Sequence, residues 1–212
     1  MPDDAIVVRP GTEADAAAAA VLHATSISEG FLSALGPRFL GRLYRRIVLS
    51  PDAFLLVADD GGATAGFIAG ALDLRALYRR FIVHDGIPAA LSSLPLLLSS
   101  WRHVWETLRH GSGPADGVAN DNETDGAELL SVAVDPGWRG RHLGTRLVEG
   151  FVSELERRAV TRSQVVVGAD NAPAIALYRA AGFAADHTFE LHKGTTSLLM
   201  RRDAGPARTA QS

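Results

Sequence analysis

At 212 residues, with a formal net charge of -3 and no cysteine, the chain is most simply one domain, large enough to bury its own core. The charge makes no electrostatic case for nucleic acid, and the missing thiols exclude disulfides, a cysteine nucleophile and a thiolate metal site. The acidic start Met1-Pro2-Asp3-Asp4 does not read as a secretory leader, and the most apolar run, 87–98, is too short and too broken by Pro88 and Pro95 to span a bilayer, so a cytoplasmic protein is expected.

Residues 5–9 read as a short strand ended by Pro10-Gly11. Thr12 is positioned to cap a helix, with Asp15 at its third position, and the alanine-rich run 16–22 continues it. Ser28-Glu29-Gly30-Phe31 breaks that helix. A second helix is predicted over 35–48, with Phe39, Leu40, Leu43, Tyr44 and Ile47 on one face. Residues 54–58 and 64–72 read as a hairpin around the turn signal Asp59-Asp60-Gly61-Gly62. The stretch 73–127 reads as an insertion: helical over 74–82 and 88–110, then polar and turn-rich. It is expected either to line an acceptor site or only to cover a sheet edge.

The most informative stretch runs from Glu128 to Phe183. An apolar strand, 127–134, stops at Asp135-Pro136-Gly137 and enters the basic, glycine-rich loop Trp138-Arg139-Gly140-Arg141-His142-Leu143-Gly144-Thr145. An amphipathic helix follows, with Leu143, Leu147, Phe151 and Leu155 recurring every four residues. A strand over 164–167 leads to a second helix that opens at Asn171-Ala172-Pro173 and ends at Gly182. Segments 189–192 and 197–201 read as a closing hairpin, and 203–212 as a disordered tail.

A loop of this kind aims several unpaired helix N–H groups at one place, where they hold phosphate. Glycine lets the backbone approach, and arginine adds charge and forked donors. Neither the dinucleotide fingerprint nor the nucleoside-triphosphate loop is present.

The loop resembles the pyrophosphate loop of the GCN5-related N-acetyltransferase (GNAT) superfamily, Arg/Gln-x-x-Gly-x-Gly/Ala. Here it reads Arg139-Gly140-Arg141-His142-Leu143-Gly144, with His142 at a position that is usually glycine. The lead-in Val134-Asp135-Pro136 and the later Asn171, Ala174 to Tyr178 and Ala181-Gly182-Phe183 match at family spacing. The resemblance extends loosely over residues 5–202. It implies one acetyltransferase domain over 1–202 in the α/β (α+β) class: a central mixed, mostly antiparallel, twisted sheet flanked by helices, with the helical insertion before the coenzyme strand.

The resemblance also implies acetyl-CoA as co-substrate, an amine-bearing small molecule or protein amine as acceptor, and no metal. The pyrophosphate would lie on Arg139, Gly140, Arg141, His142, Leu143, Gly144 and Thr145. The backbone of Val132, Ala133 and Val134 would pair with the pantetheine arm, a backbone N–H near Val132 would face the acyl oxygen, and Asn171 would touch the coenzyme. Tyr178 would protonate the leaving thiolate.

An amine must lose a proton at neutral pH before it attacks. Glu128 sits where the histone-acetylating branch carries its base, and strict alternation along the strand would put it on the face of Leu130 and Val132. The ribosomal-protein-acetylating branch carries its base on the next strand, where this chain has Val165-Val166-Val167. Glu29 is a second carboxylate. His84, His142 and His187 lie in no metal-ligand spacing. The alternative reading is a non-catalytic module on the same fold that senses coenzyme A. The acceptor and the oligomeric state stay open at this level.

Overall fold

The computed structural model describes residues 6–27, 36–85, 126–192 and 195–204. In chain order they form β1 (Val7–Pro10), α1 (Asp15–Ser26), α2 (Gly36–Leu49), β2 (Ala53–Asp59) and β3 (Thr64–Ala71). Helix α3 covers 74–85. Then come β4 (Ala127–Val134), a short 3₁₀ turn (Pro136–Trp138), α4 (Leu143–Arg157), β5 (Arg162–Gly168), α5 (Ala172–Ala180), β6 (Ala184–His192) and β7 (Thr195–Asp203). Glu29 and most of the expected insertion, including its second helix, lie outside the described residues.

The strands form one sheet in the order β1-β2-β3-β4-β5-β7-β6. Every neighbouring pair is antiparallel except β4–β5. The expected mixed, mostly antiparallel sheet with helices on both faces is therefore present. Apolar side chains leave the sheet in two directions. Phe54, Leu56, Ile68 and Leu129 pack under Leu147, Phe151 and Leu155 of α4 and Ile175 and Tyr178 of α5. Leu55, Val57, Phe67 and Ala69 pack under Ala19 and Ala20 of α1, Leu40, Tyr44 and Ile47 of α2, and Leu77 and Phe81 of α3.

Two features of the sheet place the site. The first is a β-bulge in β4. Ala69 pairs with Ser131 and Gly70 with Leu129, so Leu130 is an extra residue without a partner on β3. Gly70 is required there, because a Cβ would stand 2.6 Å from the Phe151 ring and 2.7 Å from Phe54. The second is a fork. β4 and β5 pair only at Ala127–Ser163, Glu128–Gln164 and Leu129–Val165. Beyond that point β4 stays paired with β3 up to Val134, and β5 with β7 up to Gly168. Both strands are held on their outer sides, so a gap opens between two ordered strands.

Two expectations need correction. The closing hairpin is longer than the hydropathy pattern suggested: β6 begins at Ala184, because an edge strand with exposed Asp186 and His187 shows little apolar alternation. The chain also stays tied down past 202: β7 ends at Asp203, and the Ala204 N–H bonds Thr161 O at 2.8 Å. At the N-terminal end of α1, Asp15 caps Thr12: the Thr12 N–H and hydroxyl both donate to Asp15 Oδ2 at 2.7 Å. Arg9 grips the same carboxylate through both terminal nitrogens.

Candidate active site

The loop after β4 folds as a phosphate-binding turn should. Asp135 accepts from the Gly137 N–H at 2.9 Å and closes the 3₁₀ turn. Gly140 takes φ +77, with nothing within 4 Å of where a Cβ would stand. His142 has φ 55 and ψ 16, a left-handed backbone in a residue with a side chain. That explains why the family prefers glycine there: the conformation disfavours a Cβ. The exposed His142 tolerates it at a cost of about 1 kcal/mol. The helical bonds of α4 begin at Arg146 N–H to His142 O. The N–H groups of Leu143, Gly144 and Thr145 precede it and have no helical partner.

These groups open on a hollow of about 200 Å³ lined by Val134, Trp138, Arg139, Gly140, His142, Leu143, Gly144, Thr145 and Leu177. Most of the expected pyrophosphate residues thus meet there. Arg141 does not line it, and its guanidinium lies over the Trp138 ring at 4.8 Å. Trp138 and Leu177 are lining residues that the loop pattern did not single out. Asn171 caps α5, accepting from the Ala174 N–H at 3.1 Å. Val132 packs toward α4 and α5, whereas Ala133 is buried on the opposite face with α1 and α2.

Tyr178 is 5% exposed, in the α4–α5 core against Phe183. Burial pushes its hydroxyl up to about 12. No described residue hydrogen-bonds that hydroxyl.

Glu128 corrects the expectation from strict alternation. It pairs with Ala71, which faces α1 and α2. The Leu130 bulge shifts the phase, so Val132 points the other way, toward α4. Glu128 therefore shares a face with Leu130 and not with Val132. It is half-buried at the root of the fork, accepting from Gln164 Nε2 at 3.2 Å. Burial raises its proton affinity above the ordinary carboxylate range, only partly opposed by Gln164. Tyr78 of α3 lies close enough for that charge, added to burial, to push its own hydroxyl up to about 12.

The same face holds groups that the sequence did not reveal. The Tyr44 hydroxyl lies 2.6 Å from His23 Nδ1 and 2.8 Å from Ser131 Oγ. His23 and Tyr44 are 4% and 1% exposed. Tyr44 had looked like one more apolar contact on α2, and no local pattern links it to residues 21 and 87 positions away. Among the described residues no cluster of three or more histidines and carboxylates is placed to hold a metal. No helix among them is long and apolar enough to cross a membrane.

Comparison with known proteins agrees with this geometry. Residues 25–183 match the Acetyltransferase (GNAT) family, and the chain belongs to that family. The ribosomal protein bS18 alanine N-acetyltransferase of Escherichia coli (strain K12) is 46% identical over 59 residues, 28% of this chain and 40% of that protein. An uncharacterized N-acetyltransferase of Methanocaldococcus jannaschii is 32% identical over 84 residues, 40% of this chain and 36% of that protein. The chain thus spans about 40% of the length of the curated relatives it matches. Among solved structures, the ribosomal-protein-S18-alanine N-acetyltransferase of Escherichia coli superposes with a TM-score of 0.60 at 17% identity, covering 98% of this chain and 99% of that one. A putative acetyltransferase of Salmonella typhimurium, solved with its cofactor acetyl-CoA, superposes with a TM-score of 0.60 at 16% identity, covering 98% and 99%. At those identities the likeness is one of fold.

Proposed function

We propose that this chain is an acetyl-CoA-dependent N-acetyltransferase that moves the acetyl group to an amine by direct attack. The observation that carries this reading is the fork beyond Leu129 and Val165. It joins two chemically different sides of the sheet, with the loop hollow on one and Glu128 on the other. From Glu128 to Val134 the strand covers roughly 20 Å. A ligand reaching both ends has to be long and extended, as a coenzyme with a pantetheine arm is. The open N–H groups of Leu143, Gly144 and Thr145, with Arg139 beside them, fit its pyrophosphate. When bound, acetyl-CoA supplies an activated acyl group as a thioester.

The chain's own residues then have distinct tasks. Glu128 takes a proton from the amine nitrogen, directly or through one water, and burial, which raises its proton affinity, makes it a stronger base than an exposed carboxylate. A backbone N–H of β4 near Val132 stabilises charge on the acyl oxygen. Tyr178 stays protonated at neutral pH, with its hydroxyl at about 12, and gives that proton to the departing sulfur. The acceptor is an amine. The Escherichia coli relative is a ribosomal-protein alanine N-acetyltransferase, but Val165, Val166 and Val167 offer no acid on the strand that carries the base in that branch.

Calorimetry and a thiol-release assay with a panel of amines test the reading. Arg139→Ala removes a donor. Gly144→Val puts methyl groups into the hollow, because a Cβ there meets only Leu177 Cδ2 at 3.5 Å. Both variants should weaken coenzyme binding; unchanged affinity in both overturns the loop assignment. Coenzyme binding with no thiol release for any amine would identify a sensing module instead.

A further inference from the structure

The three hydrogen-bonding groups behind the fork, Ser131, Tyr44 and His23, have no part in the reaction described so far. They form a single file. Ser131 lies beside the bulge, partly exposed, and both its oxygen and the Glu128 carboxylate lie on the α1–α2 face. Tyr44 is the buried middle member and His23 the buried end. Each group has a rotatable or relocatable proton, so the file can be polarised in either direction. What His23 does decides which.

Desolvation lowers the proton affinity of His23, so its imidazole is neutral and one ring nitrogen must accept. Nδ1 is the nitrogen 2.6 Å from the Tyr44 oxygen. That separation is short for a ring N–H donor and suits a hydroxyl donor, so Nδ1 accepts and Nε2 carries the imidazole proton. Tyr44 then donates to His23, and its oxygen accepts from the Ser131 hydroxyl. With its only proton committed inward, Ser131 Oγ has lone pairs alone to offer a further partner.

We propose that Ser131 Oγ accepts a hydrogen bond from the attacking amine, and that Tyr44 and His23 are positioning residues that keep it an acceptor. This rests on the transferase reading above. The amine donates one N–H toward Glu128 and a second to Ser131, which leaves its lone pair aimed at the acyl carbon. No covalent step is assigned to the file, and its protons stay where they are. The proposal adds a specificity consequence: a primary amine in its neutral form has two N–H groups, one for Glu128 and one for Ser131, whereas a neutral secondary amine has a single N–H and can fill only one of the two.

Two measurements on the full chain test this. Nitrogen-15 NMR of the His23 imidazole without ligand should show the Nε2–H tautomer, with an Nδ1 shift that moves in Tyr44→Phe. An Nδ1–H tautomer overturns the proposal, because Ser131 would then receive a proton from Tyr44 and be free to donate. In thiol release with a panel of primary amines, Ser131→Ala and Tyr44→Phe should each lower kcat/KM for the amine about tenfold. Acetyl-CoA affinity should be unchanged in both, and the double variant should be no worse than the worse single. Ser131→Thr, which keeps the hydroxyl, should restore the rate. Additive losses, or Ser131→Ala at full rate, overturn the proposal. A wild-type chain that binds acetyl-CoA but releases no thiol with any amine overturns the transferase reading and the role of Ser131 with it. The tautomer then still reports whether the file is polarised as stated.

Discussion

The two faces of the sheet are built on different plans. On the α4–α5 face, the groups that line the candidate coenzyme hollow come from one stretch, Val134 to Thr145, joined only by Leu177 of α5. Much of the chemistry there belongs to backbone: left-handed turns at Gly140 and His142 and the first N–H groups of α4. On the opposite face, Glu128, Gln164, Tyr78, Ser131, Tyr44 and His23 come from β4, β5, α3, α2 and α1. There the chemistry belongs to side chains. A site that grips a phosphate with backbone needs local sequence, because only consecutive residues can point consecutive amides at one spot. A site that orients an amine with side chains needs none, because the fold brings them together.

The largest test of that contrast falls on the side-chain face. Glu128→Gln preserves shape and removes the basicity. It should lower turnover by about 10² to 10⁴ while leaving coenzyme affinity intact. In the wild-type chain the rate should rise with pH as Glu128 ionises, with a midpoint above the ordinary carboxylate range, and the variant should lose that limb. Stability should move the opposite way. A carboxyl whose folded proton affinity is raised is favourable below its unfolded value, near 4.5, and that contribution is lost as pH rises through the folded value. Glu128→Gln should therefore melt at or above the wild-type temperature at neutral pH, and the difference should vanish in acid. Retained rate together with a retained limb would move the base elsewhere.

A smaller effect is expected across the sheet. Tyr178→Phe keeps the ring that packs on Phe183 and removes an unpartnered hydroxyl. Folding should survive and kcat should fall about tenfold. Unchanged kcat in steady-state assays would reduce Tyr178 to a core aromatic. The smallest effect belongs to the backbone. His142→Gly relieves the left-handed strain, so calorimetric coenzyme affinity should hold or improve slightly, and thermal stability should shift by no more than about 1 kcal/mol. Weaker coenzyme binding in this variant would mean that the imidazole itself contributes to the site, against the backbone plan.

The same contrast decides what could be read without coordinates. The loop, the α4 stripe Leu143, Leu147, Phe151 and Leu155, and the start of α5 at Asn171-Ala172-Pro173 were legible because each depends on neighbours within a few residues. The hairpin of β2 and β3 was legible from its turn. The face of Val132 relative to Glu128 was not, because period-2 reasoning assumes an unbroken ladder, and Leu130 breaks it. The His23–Tyr44–Ser131 file was invisible for a different reason. Each member has an ordinary local role, and only tertiary packing gives them a joint one. The edge strand β6 was underestimated because its solvent-exposed polar residues have no pattern that distinguishes them from a loop.

The extra residue at Leu130 acts as a parity switch in β4. Upstream of it, even-numbered positions face α1 and α2; downstream, odd-numbered ones do, as Glu128 and Ala133 illustrate. Leu129 and Ser131 pair with Gly70 and Ala69, which are neighbours on β3, so a one-residue deletion at 130 closes the bulge and leaves both halves in register and on their present faces. What such a deletion removes is the Leu130 side chain from the α1–α2 layer and the local twist that a bulge adds. The bulge therefore sets the spacing between Glu128 and Ser131, not the face on which they stand.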